Sequence, residues 1–179
     1  MGNIMTYLKW RGDLTFEERP FCEVDNLVLS ELAYLDFSHI VPGVEEGNTL
    51  TLAKVSQLYY EQVRKKTCAS GPPEDFLSTM AASRRYQGVL LSKLEDVEDP
   101  ATQREFTALH IALGVGTVYV AFRGTNDSLM GWREDFSMSS QLMPSQKLAA
   151  AYLEKTMDSK ECRYRVGGHS KGGNLAVYA

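Results

Sequence analysis

The chain has 179 residues, 44% apolar and 23% charged, close to the averages for a globular protein. Its formal net charge of -4, with 19 basic residues scattered among 23 acidic ones, excludes a phosphate-binding face and with it a nucleic-acid partner. No apolar run is long enough to span a bilayer, no basic-then-apolar leader opens the chain, and the three cysteines lack CxxC spacing. The expectation is one cytoplasmic domain with reduced thiols, no membrane span, no metal and no cofactor, burying roughly 70% of its unfolded surface.

From the N-terminus, Asp25 is placed to cap a helix reaching about Phe37, with Val28, Leu32 and Leu35 on an apolar stripe. A second helix is expected over 51–65, where Leu52, Val55, Leu58, Tyr59 and Val63 recur at helical spacing. "RKK" at 64–66 suits its C-terminus, and "GPP" at 71–73 closes the region. The period then changes. "GVLLSKLEDV", "FTALHIAL" and "TVYVAF" are β-rich, and a short "GVG" between the last two suits a tight hairpin.

Pro144 opens a third helix over about 145–158, with Ala149, Tyr152, Leu153, Thr156 and Met157 on one face. "CRYRVGG" returns to strand and "SKGGNLAVYA" starts another helix. A strand, a crossover helix and a parallel strand imply an α/β fold, a mixed sheet with helices on its faces. Ligands bind such sheets at the C-terminal ends of the strands, where "RGT" (123–125) and "GHS" (168–170) both fall.

Gly168-His169-Ser170-Lys171-Gly172 is a GxSxG motif between a predicted strand and a predicted helix, the context a nucleophile elbow requires. The glycines two before and two after the serine remove Cβ atoms that would clash in so tight a turn. A phosphate-cradling loop would need Lys followed by Ser or Thr after its last glycine, and Lys171 comes too early. A purely structural glycine turn is the bland alternative. An oxyanion hole needs a donor from the residue after the serine, Lys171, and one from the neighbouring loop, for which Thr125 is the candidate.

Arg123, at the end of its strand, needs an acidic partner, with Glu134 or Asp135 as candidates. The apolar set that follows, including Met130 and Trp132, is either a substrate pocket or ordinary packing. His169 is expected to pack behind the turn, His110 to be a hydrogen-bonded core residue and His39 to lie in a turn. None of the three suits a catalytic base.

"AFRGT", a later tryptophan with acids, and "GHSKGGNLA" together resemble the class 3 lipases and their α/β-hydrolase relatives. With "YLKWRGDLTFEERPFCEVDNLVLSELAYLDF" near the start and "VGGHSKGGNLAVYA" at the end, the whole chain resembles the bacterial Mbeg1-like family, formerly a domain of unknown function. The resemblance implies an α/β-hydrolase fold, a nucleophile at Ser170, oxyanion donors at Thr125 and Lys171, and a small-molecule acyl substrate. Its triad order is Ser, then Asp or Glu, then His, and the nine residues after Ser170 include neither acid nor histidine. The expectation is a domain cut just after its elbow, inactive by itself, whose nucleophile strand is an exposed edge open to homo-oligomer formation. The alternative from another class is a non-catalytic module that uses the same cleft to hold a lipid or a protein.

Overall fold

The computed structural model describes residues 3–62, 72–99, 104–124, 143–157 and 161–179. The described residues form six helices around one five-stranded sheet, an α/β fold. Helices α1 (Ile4–Arg11), α2 (Glu23–Leu32), α3 (Leu52–Gln62) and α4 (Phe76–Ala82) come from the first half, and α5 (Pro144–Thr156) and α6 (Lys171–Tyr178) from the second. Strands β1 (Leu50–Thr51), β2 (Leu90–Asp99), β3 (Arg104–Gly114), β4 (Thr117–Phe122) and β5 (Arg163–Gly168) lie side by side in chain order. The first four pair antiparallel; β5 pairs parallel with β4, placing Val166 opposite Val120 and Gly168 opposite Phe122.

Alternation along the strands divides the core into two layers, as a sheet covered on both faces demands. Leu109 and Ile111 of β3 and Tyr119 and Ala121 of β4 pack with α2, α3 and α4. Phe106, Ala108, Val120 and Phe122 point the other way, onto Ala149, Tyr152 and Leu153 of α5 and Leu175 of α6. Because β3 and β4 are buried on both faces, their sequences read as nearly unbroken apolar runs. Truncating Phe122, which is fully buried, would cost about 3–5 kcal/mol.

The β3–β4 turn places Val115 at φ 49 and Gly116 at φ 66, the two positive dihedrals that match a hairpin's twist. A bulge interrupts β2 between Ser92 and Glu95, with Lys93 at φ 52. That bulge is locked to α5 from both sides: the Lys93 carbonyl accepts the Tyr152 hydroxyl at 2.7 Å, and the Lys93 ammonium donates to the Thr156 carbonyl at 2.7 Å. His110 lies in the same layer, buried, with Nε2 at 3.0 Å from Thr156 Oγ1.

Asp25 does not cap α2 from outside. The helix begins at Glu23 after Cys22, and Asp25 sits in its first turn, fully buried. Its carboxylate accepts Arg85 Nε at 2.8 Å and Nη2 at 2.6 Å, the Tyr86 hydroxyl at 2.5 Å, the Tyr7 hydroxyl at 2.9 Å and the Cys22 amide at 2.8 Å. Arg85 Nη1 donates to the carbonyls of Leu14, Thr15 and Arg19. Burial alone would push this carboxyl up, yet the bonds from Arg85, Tyr86 and Cys22 together hold it below the usual carboxylate range. A buried charge must be paired and saturated with donors, and this demand pulled the residue inward.

Two other expectations are corrected. Helix α2 stops at Leu32 and a turn carries the chain to Phe37, which is buried outside any helix. Met157, expected on the buried face of α5, is 41% exposed because the helix ends at Thr156. Helices α1 and α4 had no counterpart in the sequence reading: α1 buries only Met5 and Leu8, too few to show a period. Residues 64–66 lie outside the described residues, as does Cys68, while Cys22 and Cys162 carry free thiols. Among the described residues no helix is long and apolar enough to cross a membrane.

Candidate active site

Ser170 occupies the junction between β5 and α6 with φ 55 and ψ -124, a combination that L-residues avoid. A serine that precedes a helix ordinarily turns its hydroxyl onto the amides of the first turn. Ser170 makes no such capping bond and is exposed. The bend is closed by backbone instead: the Gly172 amide donates to the His169 carbonyl at 3.0 Å, and the Gly173 amide to the Ser170 carbonyl at 3.0 Å.

The flanking glycines are where they are because the chain passes itself too closely for any side chain. A Cβ on Gly168 would lie 2.5 Å from the Gly172 carbonyl oxygen and 2.6 Å from that of Phe122, and a Cβ on Gly172 would fall onto the Phe122 carbonyl. These contacts are with backbone, so the obstruction cannot be relieved by a rotamer change. The exit of β4 is therefore pressed against the elbow. Gly124, one residue before Thr125, continues this approach: a Cβ there would meet the Tyr34 hydroxyl and lie 2.5 Å from the His169 carbonyl oxygen.

Lys171 opens α6, so its amide lies at the N-terminal end of that helix, and its side chain is only 4% exposed. Thr125, Met130 and Trp132 lie outside the described residues, as do Glu134 and Asp135. Among the described residues Arg123 finds its acids elsewhere: Nη2 lies 3.3 Å from Asp96 Oδ1 and 3.9 Å from Glu105 Oε1. Its amide donates to the Thr107 carbonyl at 2.9 Å, extending the β4 ladder by one residue. Asp96 also accepts the hydroxyls of Thr107, at 2.5 Å, and Ser38, at 3.0 Å. The β4 exit is thus anchored to β2, to β3 and to the loop after α2.

His169 does not pack behind the turn. Its side chain is 55% exposed and faces α2, with Nδ1 at 3.4 Å from Glu31 Oε1. Desolvation pushes the Glu31 carboxyl above the usual range, and the neighbouring histidine partly offsets this. The hydroxyl of Tyr34, two residues past the end of α2, donates to the His169 carbonyl at 3.3 Å. Glu31 and Tyr34 went unnoticed in the sequence because nothing local distinguishes them from other residues of an amphipathic stripe. No group of three potential metal ligands occurs among the described residues.

A strained, uncapped serine between a parallel strand and a helix, with a second strand exit pressed beside it, defines the class of site: a strand–turn–helix elbow of the α/β type. The chain belongs to the Mbeg1-like family, which it matches over residues 80–179, from the end of α4 through α6. The likeness read in "YLKWRGDLTFEERPFCEVDNLVLSELAYLDF" lies outside that span. No curated protein and no solved structure matches the chain.

Proposed function

We propose that the protein is a serine hydrolase of the lipase or esterase type, built as a single α/β-hydrolase-like domain, with Ser170 as its nucleophile. Ser170 Oγ attacks the carbonyl carbon of an acyl ester as its proton passes to a general base. The alcohol departs with that proton, and water then releases the acyl group and restores the serine. The amides of Lys171 and Thr125 hold the oxyanion that forms in each half of the reaction. Gly168 and Gly172 permit the bend, and Met130 and Trp132 contribute to the acyl-binding surface. The acid and base that complete the mechanism are an Asp or Glu and then a His, in that order after Ser170.

The observation that carries this reading is the backbone of Ser170, φ 55 and ψ -124, together with its unused capping capacity. A residue that served only to start α6 would have helical neighbours' amides to bond and no reason to hold a positive φ. A fluorophosphonate probe applied to the protein carrying the sequence after residue 179 should label wild type, and Ser170→Ala should abolish the label. Equal labelling of both would remove Ser170 from the chemistry. Absence of label from both would favour the non-catalytic binding module. Self-association through the free edge of β5 belongs to the same proposal.

A further inference from the structure

Glu31 near the end of α2 and Tyr34 in the turn that follows it both reach the residue that precedes Ser170. Tyr34 touches its backbone. The His169 carbonyl oxygen accepts two hydrogen bonds, from the Gly172 amide at 3.0 Å and from the Tyr34 hydroxyl at 3.3 Å. This oxygen belongs to the peptide plane whose other end is the Ser170 nitrogen, so its direction fixes the plane on which the serine's φ turns. A serine at φ 55 persists only where its surroundings over-determine it, and the Gly172 bond, internal to the bend, supplies one constraint. Tyr34 supplies a second one from outside it.

The same hydroxyl also occupies the space beside Gly124 that a side chain would fill. One oxygen atom thus lies against both the peptide entering the elbow and the exit of β4. Tyr34 is 8% exposed, and its ring lies 5.9 Å, centroid to centroid, from that of His169. From this juxtaposition we infer that Tyr34 is a positioning residue, whose hydroxyl sets the spacing between the nucleophile and the exit of β4 at Gly124. The inference rests on the serine-hydrolase reading of Ser170. It assigns a role in the site to the turn after α2, outside the matched span of 80–179.

Tyr34→Phe removes the hydroxyl and keeps the ring. In the protein carrying the sequence after residue 179, three quantities test the inference: the second-order rate of fluorophosphonate labelling, kcat and KM for a short-chain p-nitrophenyl ester, and Tm. Labelling and kcat should both fall about tenfold, as expected when one neutral hydrogen bond no longer aligns the reacting groups. KM should stay within about twofold and Tm within a few degrees, because the ring's packing is intact. If Tyr34→Phe does not accumulate as folded protein, Tyr34→Leu also removes the hydroxyl without adding an atom against the backbone, and should give the same split between kcat and KM. Labelling of Tyr34→Phe at the wild-type rate, or a loss confined to KM, overturns the positioning role while leaving the nucleophile in place. Failure of the wild type itself to label removes both.

Discussion

The backbone at Ser170 is a cost the fold carries in order to present one hydroxyl. A non-glycine residue in such a region is disfavoured by about 1–3 kcal/mol, and glycine relieves most of that while adding some freedom to the unfolded chain. Ser170→Gly should therefore raise stability by about 1 kcal/mol in thermal or urea unfolding, and it should eliminate probe labelling. A variant that is destabilised would mean that the serine side chain supports the fold, contrary to its lack of a capping bond. The elbow was legible from sequence because its geometry is written locally, in two glycines, a serine and the strand and helix on either side. Arg123 shows the opposite case. Its need for an acid was evident, yet Asp96 and Glu105 become its neighbours only through the pairing of β2 with β3 and of β3 with β4.

At the scale of elements, α2 is held by an ionic centre that no sequence period reveals. An aspartate near a helix start has the same local signature whether it caps the helix or accepts a guanidinium 60 residues away, and only the fold brings Arg85 to Asp25. Removing one member of a buried pair leaves the other charge without compensation and typically costs about 3–5 kcal/mol. Asp25→Asn should lower the urea midpoint accordingly. Replacing both Asp25 and Arg85 with apolar residues of similar volume should recover much of the loss.

The pH dependence of this centre follows from the depressed carboxyl of Asp25. The unfolded state takes up its proton near pH 3.9, above the pH at which the folded state does so. The pair's stabilising effect is complete above that value and is lost as pH falls through the lower folded-state value. Acid titration of wild type should show a stability loss in this window that Asp25→Asn lacks. Helices α3 and α5 were readable because their apolar stripes recur over several turns, whereas α4, with seven residues, is too short to display a stripe.

For the whole molecule, the β-rich runs of β3 and β4 mark the sheet, and the parallel β4–β5 pair follows from the helix between them. What remained hidden was the order of the layers' outer parts, because contacts between α2 and the end of β5 depend on the complete topology. In the described residues β5 has a neighbour on one side only, and Val166 of that strand is 38% exposed, Leu27 of α2 41% and Val177 of α6 90%. A strand edge flanked by apolar side chains is a template for further pairing. The 179-residue chain should show concentration-dependent association by light scattering, and Val166→Lys should reduce it through charge on the edge. A scattering mass that stays monomeric at every concentration would remove the edge as a pairing surface.

The guanidinium of Arg85 has a bearing on where this family's unit begins. It lies just inside the matched span of 80–179, yet the carboxylate and the three carbonyls it bonds are all supplied by residues 14–25. A polypeptide cut at residue 80 would keep the cation and the apolar side of β3 and β4 while losing α1, α2 and α3, which supply most of what covers them. The span matched among relatives therefore leaves out the groups that compensate a buried cation within it.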